Sequence, residues 1–214
     1  LTTLILASTS PRRHDLLSKL GLSFETARPD IDETPHPDEA PIAYVARLSR
    51  EKAAAIAHRG RYVPDTCILS ADTTVVENGE IIGKPADATD AIRILKRLRG
   101  HAHMGYTGVT LWCVGQPETQ DQVQTRVIET RIVMRPYTDR EIAAYVESGD
   151  PMGKAGSYAI QNADFHPVDH IEGCYTNVVG LPVCAVCAML NEARLQVPHP
   201  ILCSSENLPC QFIK

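Results

Sequence analysis

The chain has 214 residues, an apolar fraction of 43%, a charged fraction of 22% and a formal net charge of -5. That length allows one substantial domain or two lobes sharing a core, and the acidic balance argues against nucleic-acid backbones, whose binding needs a broad basic face. No apolar run approaches the roughly 20 residues of a membrane span, and the first residues lack the basic-then-apolar layout of a signal peptide, so a cytoplasmic protein with no membrane or nucleic-acid partner is expected.

A short strand, Thr3 to Ala7, leads to a helix from Pro11 to Leu20 that Gly21 stops. Ser10 suits the N-cap and Pro11 the first helical position, so Arg12 and Arg13 fall at the positive end of the helix dipole. Cations are unfavourable there unless an anion compensates. Backbone N–H groups, the Ser8 and Ser10 hydroxyls and one or both guanidinium groups could hold a phosphate. The plainer alternative has both arginines bent outward onto surface carboxylates. A second strand near Phe24 to Ala27 enters an acidic, proline-rich loop, Asp30 to Pro41, whose Glu33 and neighbours are either a solvated linker or a source of metal-binding carboxylates.

The next helix, Pro41 to Ala57, places Lys52 within about 40° of Val45, Leu48 and Ile56, on or beside the apolar stripe. Its ammonium either snorkels to the edge or faces an anion-binding cleft. Residues Thr66 to Val76 alternate as a strand, Asn78-Gly79 is a strong hairpin turn, and Glu80 to Lys84 return. Glu77 then opposes Glu80 and Thr73 opposes Lys84, which brings Asp72 and Lys84 to one end of the hairpin. A carboxylate inside such a strand must be paired or bind a metal, and an Asp72 to Lys84 salt bridge is the structural option.

A helix from Asp87 to Arg99 follows, then two long strands, about Ala102 to Val114 and Val123 to Met134, that form a central antiparallel pair. Thr138-x-x-Glu141 is a capping box that opens a helix closed by Gly149. The loop Asp150 to Tyr158 precedes Ala159-Ile160-Gln161, and a last helix carries Val183, Val186, Met189 and Leu190. Seven scattered cysteines form no secreted framework; Cys184-x-x-Cys187 is read as buried thiols and His101-x-His103 as loop histidines. Residues 1–190 are taken as one two-lobed domain and 191–214 as a tail.

Two arginines at a helix start, two lysines from separate elements and carboxylates at Glu33 and Asp72 suit a polyphosphate with a divalent metal. No Walker A sequence or Gly-x-Ser-x-Gly elbow occurs. The chain closely resembles the Maf family of nucleoside triphosphate pyrophosphatases. The resemblance is carried in family order by Leu6-Ala7-Ser8-Thr9-Ser10-Pro11-Arg12-Arg13, Asp32-Glu33, Arg50-Glu51-Lys52-Ala53, Ser70-Ala71-Asp72-Thr73, Gly83-Lys84-Pro85, Tyr106-Thr107-Gly108-Val109, Lys154 to Gln161 and Asn177 to Pro182. It implies an α/β fold of two lobes around a central cleft, with a mixed, elongated sheet flanked by helices, like the inosine triphosphatase fold, and a homodimer.

By position the resemblance implies that Ser8, Arg12, Arg13, Lys52 and Lys84 hold phosphates. Glu33 and Asp72 would bind Mg²⁺, Mn²⁺ or Co²⁺ and activate water. Ala-Asp-Thr at Thr73 and the Tyr158 to Gln161 segment match the subgroup directed at dTTP, UTP and modified pyrimidine nucleotides, with Thr73 and Gln161 at or beside the base. Lys154 either touches substrate or braces its loop. Gly153, Asn162 and Met104-Gly105 depart from the family pattern and bear on substrate preference and loop geometry. A 7-methyl-GTP pyrophosphatase and a nucleotide-binding regulator of septum formation are the alternatives.

Overall fold

The computed structural model describes residues 3–60, 62–116 and 118–199. Cys203 and Cys210 of the expected tail lie outside the described residues. The seven strands form one sheet in the order β2-β1-β3-β5-β6-β7, with β4 also paired to β3. Strand β1 (Leu4–Ala7) lies parallel to β2 (Glu25–Ala27) and to β3 (Cys67–Glu77). The longest ladders are antiparallel and join β3, β5 (Ala102–Cys113) and β6 (Gln122–Met134). Strand β7 (Val168–Glu172) adds the far edge, an element without a clear signal in the sequence.

Helices α1 (Pro11–Ser18), α2 (Pro41–Ala57), α3 (Ala88–Leu98), α4 (Asp139–Glu147), α5 (Tyr175–Val179) and α6 (Val183–Glu192) flank this sheet. The expected mixed α/β architecture is therefore present. No helix among the described residues is long and apolar enough to cross a membrane. Both halves of the Thr138 capping box form at the start of α4. Asp87 caps α3 by accepting from the Asp90 N–H.

Two large cores share one face of the sheet. One joins β1, α1 and α6 through Leu6, Leu17, Leu69, Leu111 and Met189; the other joins α3 and α4 through Val75, Leu95, Ile132, Ile142 and Tyr145. The opposite face carries α2, whose Val45, Leu48, Ala53 and Ile56 are fully or almost fully buried. Close approach of α2 depends on Gly108, where a β-carbon would collide with the carbonyl oxygen of Val45 and lie 3.0 Å from the Ala46 nitrogen.

One edge of β3 is split. The opposite edge is taken by β5, so β1, which pairs as far as Leu69, and β4 (Glu80–Ile82), which pairs from Val75, must share this one. Ser70 to Thr74 have no strand beside them there. The Asn78-Gly79 turn has φ of 52° and 82°, as a type I′ hairpin requires, and Glu77 opposes Glu80 as expected. Strand β4 ends at Ile82, however, so the expected Thr73 to Lys84 pairing does not form.

Two other expectations are corrected. Cys67 and Cys113, register partners on β3 and β5, form a disulfide, and Cys184 is disulfide-bonded as well, whereas Cys187 is a free cysteine. Cross-strand register placed two thiols side by side that lie 46 residues apart in sequence. His103 is not a loop residue. It sits within β5, buried, with Nε2 2.8 Å from the Tyr158 hydroxyl.

Candidate active site

The break in the sheet opens into a cleft of about 760 Å³ that runs between the two cores. Side chains alternate along a strand. Asp72 therefore projects toward α2 while Thr73 projects to the other face, and the break lets both line the cleft.

On the α2 side, Lys52 Nζ lies 2.6 Å from Asp72 Oδ1 and 2.6 Å from Glu33 Oε1. Its place on the apolar stripe buries it to 7% exposure, and the ammonium points inward to these acids instead of snorkelling outward. Asp72 is thus paired with Lys52 and not with Lys84, because the hairpin stops two residues short. Lys84 reaches Glu33 instead, at 3.5 Å. Burial raises the Glu33 pKa, but the hydrogen bond and charge of Lys52, with the charge of Lys84, outweigh it and hold the carboxyl below its ordinary value.

Glu33 does not sit on a free linker. The Tyr44 hydroxyl donates to the Glu33 carbonyl at 2.9 Å. Arg47 Nη2 donates to the Thr34 carbonyl at 3.2 Å, and its guanidinium grips Glu39 at 2.6 and 2.7 Å. Burial, with the charges of Asp72 and Glu33, pushes the Tyr44 phenol up to about 12, so it remains a hydrogen-bond donor at neutral pH. Sequence reasoning missed both anchors; the one available signal is a basic residue on the second turn of a helix that follows an acidic loop.

At the start of α1 the chain is extended at Ser10, and Pro11 opens the helix, but the Ser10 hydroxyl makes no capping bond. Its N–H donates instead to Ser8 Oγ at 3.1 Å. Arg13 turns inward, which rules out the outward alternative for this residue. Its Nε donates to the Gly180 carbonyl at 2.8 Å and its Nη2 to Thr73 Oγ1 at 3.1 Å. Burial lowers the Arg13 pKa, and the charge of Asp72 opposes that shift. Thr73 Oγ1 also lies 2.9 Å from Thr107 Oγ1, so Arg13 and Thr73 tie α1, β3 and β5 together beside the cleft. Arg12 lines the same cleft with no ion-pair or hydrogen-bond partner among the described residues.

The far wall is the loop from Asp150 to Asn162. Asp150 accepts from the Tyr145 hydroxyl at 2.7 Å, from Asn162 Nδ2 at 3.2 Å and from Lys154 Nζ at 3.1 Å. Lys154 also donates to the Asp150 carbonyl, so it braces its own loop. Gly153 has φ of +71°, a conformation that glycine adopts without steric cost. Asn162 adds a second bond, its Oδ1 accepting from the Phe165 N–H at 2.8 Å. Gln161 is exposed and faces the cleft.

Arg12 and Arg13 of α1, Lys52 of α2 and Lys84 line this cleft with two carboxylates, and Val75, Gly105, Ile132 and Val178 add an apolar floor. No cluster of three or more His, Cys, Asp or Glu occurs among the described residues. Glu33 and Asp72 are therefore two hard oxygen donors, and an ion held by them would take its remaining ligands from a phosphate and water.

Such a charged, half-apolar cleft in a mixed sheet defines an α/β protein whose cleft has the chemistry to suit an organic phosphate. The chain belongs to the Maf-like protein family, whose family model matches residues 3–193. A dTTP/UTP pyrophosphatase of Myxococcus xanthus (strain DK1622) is 46% identical over 197 residues, covering 92% of this chain and 95% of that one. A dTTP/UTP pyrophosphatase of Geobacter sulfurreducens (strain ATCC 51573 / DSM 12127 / PCA) is 45% identical over 185 residues, or 86% of this chain and 92% of the relative. A solved chain described as the structure of the Staphylococcus aureus Ham1 protein matches at 11% identity and a TM-score of 0.37, over 62% of this chain and 72% of that one.

Proposed function

We propose that this chain is a nucleoside triphosphate pyrophosphatase that hydrolyses dTTP, UTP and modified pyrimidine triphosphates to the monophosphate and pyrophosphate. The observation that carries the reading is the Lys52 ammonium clamped at 2.6 Å between Asp72 and Glu33, in a cleft that Arg12 also lines and in a chain so similar to dTTP/UTP pyrophosphatases.

Ser8, Arg12, Lys52 and Lys84 hold the phosphates, and Arg13 supports that group from behind through Gly180 and Thr73. Glu33 and Asp72 fit a divalent ion such as Mg²⁺, Mn²⁺ or Co²⁺, since hard cations bind through one or two carboxylates plus phosphate oxygens. When bound, that ion supplies charge neutralisation on the phosphate oxygens. Water adds at the α-phosphorus, its proton passes to a carboxylate that we assign as Asp72, and pyrophosphate departs. The lysines and Arg12 neutralise the charge that builds on the leaving group. Gln161 presents an amide, donor and acceptor together, to the polar edge of a pyrimidine, with Thr73 placed beside it. The cytoplasmic homodimer of the family is the expected setting.

Pyrophosphate release from a panel of nucleoside triphosphates, with Mg²⁺ or Mn²⁺, tests this. Turnover of dTTP and UTP that disappears in Asp72→Ala supports the assignment. Preference for 7-methyl-GTP overturns the pyrimidine specificity, and absence of any turnover by folded protein favours a nucleotide-binding regulator.

A further inference from the structure

Gly105 lies on β5 between Val75 of β3 and Thr130 of β6, on the sheet face away from α2. It lines the floor of the cleft together with Val75, Ile132, Tyr158, Ile160 and Val178. The floor lies on the face of the sheet opposite to Lys52, which reaches Asp72 from α2. A β-carbon on Gly105 would come within 2.9 Å of Ile132 Cδ1, the flexible end of a fully buried side chain. The added methyl fills part of the floor, and Ile132, a fully buried member of the core of α3 and α4, has little room in which to retreat. Any side chain at this position therefore takes volume from the pocket.

A pyrimidine carries O2, N3 and the group on C4 along one edge, and only C5 and C6 are apolar. With the triphosphate among the cations and the polar edge toward Gln161, the C5–C6 edge faces the floor. C6 is adjacent to the glycosidic nitrogen, so C5 penetrates deeper. We infer that Gly105 is a specificity-determining residue, whose missing side chain leaves room for substituents on pyrimidine C5 larger than the methyl group of thymine. This rests on the pyrophosphatase reading above for the identity of the nucleotide.

The test measures calorimetric binding of the α,β-methylene analogues of UTP and 5-iodo-UTP, which cannot be split at the scissile bridge. The wild type is expected to bind both within about threefold of each other, and Gly105→Ala to lose about tenfold or more for the iodo analogue alone, the usual worth of one misplaced methyl-sized group. Adding Ile132→Val to Gly105→Ala restores room and should recover the iodo analogue, and retained binding of the UTP analogue shows that the single variant is folded. Equal loss for both analogues, no loss for either, or wild-type rejection of the iodo analogue overturns the inference. Failure of the wild type to bind either analogue overturns the nucleotide assignment and this inference with it. Binding of both without turnover of any triphosphate removes the pyrophosphatase activity but leaves the role of Gly105 standing.

Discussion

Asp72 and Thr73 are consecutive on β3 and point to opposite faces of the sheet, yet both line one cleft. The split edge of β3 makes this possible, because a strand with neighbours on both sides would separate the two residues by the full sheet. The charged side, with Lys52, Glu33 and Asp72, and the side with Thr73 and the apolar floor therefore meet across a single strand.

Removing the charge of Lys52 leaves the nearly buried Asp72 without its ion-pair partner and Glu33 with Lys84 alone. Lys52→Met should abolish pyrophosphate release. Breaking a buried pair by removing one partner costs about 3–5 kcal/mol, and urea unfolding at pH 7 should show a loss near the lower figure because the cleft admits water. Retention of wild-type turnover would remove Lys52 from the machinery. In the wild type, the depressed pKa of Glu33 means that its contribution is present above the ordinary carboxylate pKa of about 4.3 and lost as pH falls through the folded value.

Gly108→Ala sets a methyl group against the backbone of α2, which cannot rotate away as a side-chain end can. The helix must move off the sheet and carry Lys52 with it. A loss of about 3 kcal/mol in stability, together with reduced turnover, is expected in urea and activity assays. Gly105→Ala, two rungs beyond the Thr107 pair on the opposite face, should be far milder.

His103 provides a pH signature. Burial depresses its pKa to about 4, so the folded chain keeps the ring neutral where the unfolded chain, near pH 6.5, takes up a proton. The unfolded state binds more protons between those values, and stability must fall as pH is lowered from about 6.5 to about 4, by up to about 3 kcal/mol. His103→Gln should flatten urea-midpoint stability across that window. An unchanged slope would assign the acid sensitivity to other groups.

Asp150 gathers Tyr145, Lys154 and Asn162 and so holds the loop that presents Gln161. Asp150→Ala should raise KM for UTP more than it lowers kcat, with kcat/KM down about 10²-fold, the effect of a displacement of roughly 1 Å in a positioning group. Steady-state kinetics on dTTP and UTP separate this from a simple loss of stability, which would lower active enzyme without changing KM.

Local signals in the sequence mark much of the framework. Helix α2 begins and ends where its proline and apolar stripe place it, the Asn78-Gly79 turn sets the Glu77–Glu80 register, and Thr138-x-x-Glu141 caps α4. These features depend on neighbours within a few residues, where backbone geometry and periodicity act directly. Strand β7 and the short helix α5 escaped notice because partners elsewhere in the fold stabilise them: β7 pairs with β6, and Asn177 of α5 donates to the Gly105 carbonyl and to Thr130 Oγ1.

The residue types gathered in the cleft were also determined by sequence alone: two arginines at a helix start, a lysine on an apolar stripe and a carboxylate inside a strand each violate a local rule, and together they mark a charged site. Their partners were decided only by tertiary structure. Lys52 takes Asp72 because β4 stops at Ile82, Arg13 turns inward because Gly180 offers an uncapped carbonyl across 167 residues of chain, and Cys67 meets Cys113 because β3 and β5 pair in that register. Such pairings depend on strand ends and registers set by packing of the whole sheet, a cooperative property that no short stretch of the chain contains.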